Sequence, residues 1–318
     1  LLAEPMSTLE FTRDRQSLAT SSGGFFFLAD RASGAPRALN LNLAIEGGVV
    51  SSLPVRSQDA LLNRKGALSV THIEARGELV LGHQRLSWAG SRSGLEADCH
   101  AFGNANCVIQ HQPDAELGRI RVLNERSRRT PSIDVSHRID VGFKQQGKEW
   151  VATTLSDEGQ VDIFEHTLVL RMARSAAPGL GERLRVETVG KHAVESLDGA
   201  ISVGPSVWTE DPDQHPLNDE PSLGSFPLLS QRASSRLLYF QTSDARYLFL
   251  FDGRPSAQCA GVTMPEALAF IRGRYDVQEG CFLDSGKTGK LAIRRAGQVE
   301  SHGNRDYLKW PREGERGF

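Results

Sequence analysis

The feature that most constrains the fold is a long succession of short apolar or alternating segments between residue 25 and about residue 207. Glycine, proline, asparagine and aspartate separate these segments, which is the pattern of β-strands joined by turns. Helical periodicity is scarce there, so few helices are expected. No segment recurs with a fixed period, which argues against a propeller or a solenoid. The segments predicted as strands are residues 24–28, 67–73, 149–155, 167–170 and 184–189.

Length and charge limit the classes of protein to which the chain can belong. With 318 residues and 39% hydrophobic side chains, the chain can bury a substantial core, and a single domain over residues 1–318 is predicted. Residues 1–8 are expected to be disordered or to derive from cloning. The formal net charge of -2 predicts no general attraction to nucleic acid or to anionic membranes. No apolar run approaches the roughly 18 to 20 residues of a membrane span, so none is expected.

The chain start and the cysteines leave the compartment open. A native start at Met6 would indicate a cytoplasmic protein, whereas a chain trimmed from a longer product would be extracytoplasmic. Two alternatives stand for Cys99 and Cys107: a disulfide across a loop, or buried or free thiols. For Cys259, packing or pairing with Cys281 is favoured over a nucleophilic role, because no histidine is near it in sequence.

The last quarter of the chain predicts a strand, a loop, a helix and a second strand. The strands cover residues 247–251 and 280–284. Between them, Thr263 followed three residues later by Glu266, with Pro265 in the first turn, predicts a helix that begins with a capping box. If the strands are neighbours, the helical crossover makes them parallel and the connection right-handed. The prediction is an α+β fold, a strand-rich mixed sheet with few helices and a C-terminal β-α-β unit.

Both strands of this unit end in an aspartate, Asp252 and Asp284. Ligands of open α/β sheets bind outside the carboxyl ends of the strands, so the two carboxylates are expected at one edge. Arg254 can bind a phosphate or a carboxylate through two hydrogen bonds, and the positive end of the following helix is expected nearby. The polar residues that follow Asp284 are Ser285, Lys287 and Thr288.

Either aspartate alone is explained by ordinary turn chemistry. Two such strand ends joined by one crossover favour instead a site for an anionic, hydroxyl-rich ligand. No cofactor is certain, but two carboxylates at one edge also suit a divalent cation such as Ca²⁺ or Mg²⁺.

A set of short motifs resembles a known family. In order, they are Asp-Gly-Arg at residues 252–254, Gly-Val-Thr-Met-Pro-Glu at residues 261–266 and Leu-Asp at residues 283–284. This order is similar to that of the phosphodiester glycosidases related to the mannose-6-phosphate uncovering enzyme. Further positions that match motifs of this family are Gly204 before a proline, Arg232, and an early asparagine that is Asn40 or Asn42.

The resemblance implies hydrolysis of a bond between a sugar and the phosphate of a phosphodiester. It assigns catalysis to Asp252 and Asp284 and phosphate binding to Arg232 and Arg254. The further substrate contacts are Asn42, Gly204, Ser285, Lys287 and Thr288. The expected partner is therefore a small sugar phosphate or a glycan.

Departures from the family pattern keep two other hypotheses open. Residues 285–289 read Ser-Gly-Lys-Thr-Gly, where the family has a run of glycines, and Ala233 follows Arg232 in place of threonine. One alternative is a divergent enzyme of the same fold that modifies a natural product or a polysaccharide. The other is a non-catalytic protein for carbohydrate binding or assembly.

Overall fold

The computed structural model describes residues 8–21, 23, 26–28, 38–40, 43–54, 58–90, 106–109, 138–157, 161, 168–204, 233–253, 260–285 and 289–303. Within these ranges the chain forms 21 β-strands and two α-helices. It divides into two compact units. The first contains the described residues from 26 to 202, and the second contains those from 8 to 23 and from 203 onwards.

The largest sheet of the first unit has eight strands. In chain order they are β8 (Arg76–Leu81), β9 (Gln84–Gly90), β10 (Asn106–Ile109), β11 (Arg138–Gln146), β12 (Glu149–Ser156), β13 (Leu168–Ala173), β14 (Arg183–Val189) and β15 (His192–Ala193). Their order across the sheet is β12, β11, β13, β10, β9, β8, β14, β15. Because β12 also pairs with β14, the sheet closes on itself.

A second sheet of the first unit has five strands. They are β4 (Ala44–Glu46), β5 (Val49–Ser52), β6 (Gln58–Arg64), β7 (Ala67–Ile73) and β16 (Gly199–Ser202), in the order β5, β4, β16, β6, β7. The short strands β2 (Phe26–Leu28) and β3 (Ala38–Asn40) pair with each other. Alternate apolar side chains of the two larger sheets form one buried cluster, which is the core of this unit.

The strands predicted for this region from the sequence are confirmed. Of these segments, residues 26–28, 67–73, 149–155, 168–170 and 184–189 belong to β2, β7, β12, β13 and β14, while residues 24, 25 and 167 lie outside the described residues. The alternation that predicted them also agrees with burial, since Trp150 and Ala152 of β12 are buried while Thr153 is exposed. Local sequence pattern was therefore a sound guide to these strands.

The second unit contains both helices and two three-stranded sheets. Its elements are α1 (Thr8–Asp14), β1 (Ala19–Ser21), β17 (Arg236–Gln241), β18 (Arg246–Phe251), α2 (Met264–Arg272), β19 (Glu279–Ser285), β20 (Lys290–Arg295) and β21 (Gln298–Gly303). One sheet has the order β1, β20, β21, and the other has the order β18, β17, β19. The Arg294 guanidinium donates to the carbonyl oxygens of Thr12 and Ser17, so it joins the N-terminal segment to β20.

The prediction of an α+β fold with a C-terminal β-α-β unit of neighbouring strands is wrong. The fold is mostly β, and among the described strands every pairing is antiparallel except that of β9 with β10. The strands β18 and β19 are not neighbours, because β17 lies between them and pairs antiparallel with both. A helical crossover requires only that the strands it joins run in the same direction. The preceding strand, β17, occupies the position between them.

The described residues include only two of the four cysteines, so they test the predictions about cysteine pairing only in part. Cys281 is buried in β19, and Cys107 belongs to β10. Cys99 and Cys259 lie outside the described residues, so the proposed pairings stay predictions.

Candidate functional site

Only some of the predicted site residues belong to the described part of the chain, and for two of these only the backbone is described. Asp252 directly follows β18, and it is exposed. Asp284 and Ser285 are the last two residues of β19, where the backbone is described. The predicted contacts that lie outside the described residues are Asn42, Arg232, Arg254, Lys287 and Thr288.

The described strands bring the two aspartate positions to one edge of the sheet. Arg236, the first residue of β17, is paired with Phe251 on one side and with Ser285 on the other. Because β17 is antiparallel to both neighbours, β18 and β19 run in the same direction and end together. Asp252 and Asp284 are each one residue away from a pairing partner of Arg236. The common edge that the sequence predicted is thus reached with an extra strand in the middle.

An irregularity in the pairing of β17 with β19 occurs at Asp284. Between two regular pairs, Leu237 of β17 lies opposite two residues of β19, Leu283 and Asp284. Such an arrangement is a β-bulge, which bends the strand and changes the direction of its side chains. Bulges are frequent beside active sites, which makes this one a relevant feature of the candidate site.

The backbone beside Asp252 is very closely packed. A Cβ atom placed on Gly253 would lie 2.6 Å from the Cα of Gly261 and 2.8 Å from the amide nitrogen of Ser235. A Cβ atom on Gly261, whose φ is +87°, would lie 2.2 Å from the carbonyl oxygen of Ser234. The amide of Gly253 donates to Oδ1 of Asp252 at 2.9 Å. Gly253 is therefore accounted for by chain packing, and its amide hydrogen bonds within the protein.

Two backbone hydrogen bonds fasten the segment before α2 to the segment before β17. Ser234 and Val262 exchange them at 3.1 and 3.0 Å. Nε of Arg236 also donates to the carbonyl oxygen of Val262, at 3.2 Å. These contacts hold the start of β17 against the residues that lead into α2.

Arg236 carries a buried positive charge between the two strand ends. Its relative exposure is 2%, and burial lowers its pKa to about 10. At neutral pH the guanidinium is therefore still protonated. Removing such a charge from water is costly, so a buried arginine marks a place where negative charge is favoured.

Ser235 provides a second polar group at the same place. Its relative exposure is 1%, and its hydroxyl has no hydrogen-bond partner among the residues that the structure describes. A buried polar group without a partner costs about 1–3 kcal/mol, so it calls for an explanation. In contrast, the hydroxyl of the preceding Ser234 donates to the carbonyl oxygen of Ser235 at 3.3 Å.

Sequence reasoning missed β17, and with it Ser235 and Arg236. A signal was present: two apolar runs are separated by a short segment that contains the polar residues Thr242, Ser243 and Asp244, which is the pattern of a β-hairpin. The structure has this hairpin, with β17 and β18 joined by a turn in which the Thr242 amide donates to the Ala245 carbonyl oxygen at 2.9 Å. The hydroxyl of Thr242 also donates to Asp244 at 2.6 Å.

The capping box predicted at the start of α2 is confirmed. The amide of Thr263 donates to Oε2 of Glu266 at 2.8 Å, and the amide of Glu266 donates to Oγ1 of Thr263 at 3.3 Å. The hydrogen bond from the Thr263 amide, and after it that from the Thr263 hydroxyl to Oε2 of Glu266 at 2.8 Å, lower the pKa of Glu266. Pro265 has no amide hydrogen. Two of the first amides are thus engaged within the helix, which limits how many could bind an anion.

Gly204 contacts the backbone of β19 two residues before Asp284. Its amide donates to the carbonyl oxygen of Phe282 at 2.8 Å, and a Cβ atom on it would lie 3.0 Å from that oxygen. This close approach accounts for a glycine at the position. The predicted substrate contact by Gly204 stays a prediction.

Aromatic side chains pack α2 against one face of the sheet. On β18, this face carries the alternate residues Phe249 and Phe251. The Phe270 ring lies 5.3 Å from that of Phe251 and 5.8 Å from that of Phe249, measured between ring centroids. On the central strand, Phe240 stacks on Tyr247 at 4.7 Å. This packing gives the strand that leads into Asp252 a rigid support.

Comparisons with known proteins give a likeness of fold. No protein-family model and no curated protein matches the chain. It is similar to the crystal structure of a hypothetical protein from Synechocystis, with a TM-score of 0.55, 16% identity and coverage of 94% of this chain and 52% of that one. It is also similar to a putative exported protein from Burkholderia pseudomallei, with a TM-score of 0.58, 13% identity and coverage of 95% and 65%. This chain thus spans about half to two thirds of their lengths.

A third similar structure is an enzyme whose name corresponds to the family that the sequence motifs resemble. It is the catalytic domain of zebrafish N-acetylglucosamine-1-phosphodiester alpha-N-acetylglucosaminidase, auto-inhibited by its pro-peptide. The identity is 11%, the coverage is 97% of this chain and 91% of that chain, and the TM-score is 0.27. A TM-score this low carries no structural argument, so the resemblance to phosphodiester glycosidases depends on the sequence motifs.

Two further properties concern metals and membranes. The described side chains include no group of three or more histidines, cysteines, aspartates or glutamates that could hold a metal ion. A cation shared by Asp252 and Asp284 stays a prediction, because the side chain of Asp284 is not among those described. In the described ranges neither helix has the length and the apolar character needed to cross a lipid bilayer.

The geometry suits a ligand that combines negative charge with hydroxyl groups. The exposed carboxylate of Asp252 can accept hydrogen bonds from hydroxyls or stabilise developing positive charge, and the backbone of Asp284 lies at the same edge. Arg236, whose backbone lies between these positions, has a buried guanidinium, and the preceding Ser235 has a buried hydroxyl. A sugar attached to a phosphate has both kinds of group.

Proposed function

We propose that this protein is a hydrolase that cleaves a sugar from a phosphodiester-linked substrate. Asp252 and Asp284 act at the sugar, while arginine side chains hold the phosphate. The observation that carries the proposal is the joint ending of β18 and β19 on the two sides of Arg236. Naming the reaction rests on the Asp-Gly-Arg and Leu-Asp motifs, whose order resembles that of the phosphodiester glycosidases.

The proposed reaction breaks the bond between the anomeric carbon and the phosphate oxygen. Water adds its oxygen to the anomeric carbon and loses a proton, and the phosphate leaves as a monoester with the bridging oxygen. Positive charge develops on the sugar ring in the transition state, and the carboxylates of Asp252 and Asp284 stabilise it. A phosphate monoester is a stable leaving group, so little help from a general acid is needed.

Phosphate binding is the proposed role of Arg232 and Arg254. Arginine forms paired hydrogen bonds with phosphate oxygens, and it stays charged at all relevant pH values. Asn42, Gly204, Ser285, Lys287 and Thr288 are the further proposed substrate contacts.

The test is a turnover assay on a panel of sugar phosphodiesters, including nucleotide sugars, with product sugar and phosphomonoester both quantified. Asp284→Asn keeps the size of the side chain and removes its charge, so we expect a loss of roughly 10²–10⁴-fold in kcat. The matched control is Asp276→Asn, because Asp276 is an exposed aspartate of the same unit after α2. Its turnover should match that of the wild type.

Two outcomes would count against the proposal. Turnover that is unchanged in Asp284→Asn removes this residue from catalysis. An absence of turnover by the wild type on every substrate, with and without added Ca²⁺ or Mg²⁺, favours the two alternatives, a divergent enzyme of the same fold or a non-catalytic carbohydrate-binding protein. A comparison of activity before and after chelation shows whether a cation takes part.

A further inference from the structure

The buried hydroxyl of Ser235 is a polar group that the proposed reaction leaves without a role. Its relative exposure is 1%, and it has no hydrogen-bond partner in the described part of the chain. Buried polar side chains nearly always have a partner, in the protein, in an ordered water molecule or in a bound ion. The missing partner therefore points to a molecule that binds there.

The position of Ser235 indicates where that molecule would bind. Ser235 directly precedes β17, the strand between the two that end at Asp252 and Asp284. Its amide nitrogen faces the closely packed Gly253, which follows Asp252. The backbone of Ser235 therefore lies at the edge of the sheet where β18 and β19 end.

The chemistry of the neighbouring residue indicates the class of ligand. Arg236 places a buried guanidinium one residue away, and burial only lowers its pKa to about 10, so the charge persists at neutral pH. A hydroxyl donor and a buried positive charge on consecutive residues at this edge suit a ligand with negatively charged oxygens. Phosphate has several such oxygens, and it is the anionic part of the proposed substrate.

We propose that the Ser235 hydroxyl donates a hydrogen bond to a phosphate oxygen of the ligand, at the start of β17 and one residue before Arg236 in the chain. The assignment of that phosphate to a sugar phosphodiester rests on the proposed function. Binding of the phosphate group itself does not require that the protein be a hydrolase.

The experiment measures the affinity of the full chain for inorganic phosphate by isothermal titration calorimetry. In Ser235→Ala we expect the affinity to fall about tenfold, because a hydrogen bond to a charged group is lost. The matched control is Ser234→Ala, since the hydroxyl of Ser234 already donates to a backbone carbonyl oxygen. Its affinity for phosphate should stay within about twofold of the wild type, well short of the tenfold loss.

Thermal unfolding without phosphate is a second measurement that does not depend on the ligand. We expect Ser235→Ala to unfold at the temperature of the wild type or above it, because the change removes an unpaired buried hydroxyl. A clear decrease in that temperature would mean that the hydroxyl has a partner within the protein. That result would overturn the proposal.

The outcomes separate this proposal from the proposed hydrolase activity. Phosphate binding that weakens in Ser235→Ala supports the role of Ser235, even if the wild type cleaves no phosphodiester. Turnover by the wild type together with an unchanged phosphate affinity and KM in Ser235→Ala would overturn the role of Ser235 and leave the hydrolase. No phosphate binding by the wild type would also overturn it.

Discussion

Replacement of Gly261 by alanine tests whether the close packing beside Asp252 is as tight as described. Gly261 has a φ of +87°, and a Cβ atom there would lie 2.2 Å from the carbonyl oxygen of Ser234. A positive φ costs a residue with a side chain about 1–2 kcal/mol. Relieving the overlap requires Ser234 to move, which breaks its two hydrogen bonds to Val262, at about 0.5–1.5 kcal/mol each. The expected loss of stability is therefore about 2–5 kcal/mol.

The control for this prediction is Gly297→Ala, in the turn between β20 and β21. Gly297 has a similar φ of +80°, but a Cβ atom there would have no neighbour within 4 Å. Only the conformational cost of about 1–2 kcal/mol applies. Urea-induced unfolding followed by circular dichroism would give both values. Equal losses in the two variants would refute the reasoning, because they share the positive φ and differ only in the contact with Ser234.

Further predictions concern the helix cap and the core of the same unit. Thr263→Ala should destabilise the protein by about 1 kcal/mol, measured by urea unfolding, because the capping hydrogen bond is lost. Since the folded-state pKa of Glu266 is lowered from 4.5, the stabilisation relative to Glu266→Gln should be present above pH 4.5. It should disappear as the pH falls through the lowered pKa, and a difference that grows on acidification would contradict this. Phe240→Ala should cost about 3–5 kcal/mol because Phe240 is fully buried, whereas Leu248→Ala, at 37% exposure, should cost far less in the same unfolding assay.

Much of the local structure was determined by the sequence alone. Alternating residues predicted β7, β12 and β14, because a strand with one buried face needs an apolar side chain at every second position. The start of α2 followed from Thr263 and Glu266, whose side chains cap amides only a few residues away. The aspartate at or directly after the end of each strand was likewise visible, and the shared edge followed from the direction that a helical crossover imposes on the strands it joins.

The central position of β17 required the tertiary structure. Strands that run in the same direction can be neighbours or have another strand between them, and local pattern does not distinguish the two cases. The burial of Arg236 and of the Ser235 hydroxyl follows from that central position, as does the bulge at Asp284. Residues 242–245 indicate the hairpin of β17 with β18, which are close in sequence. The other partner of β17 is β19, which begins at Glu279, 38 positions after Gln241, the last residue of β17.

The sequence thus determined which residues could supply the chemistry at this edge, since capping, alternation and turn formation act over a few residues. Only the tertiary structure decided what lies between the two aspartate positions. The physical reason is that strand order, burial and bulges depend on contacts between segments distant in the chain, and their energies are not contained in any one segment.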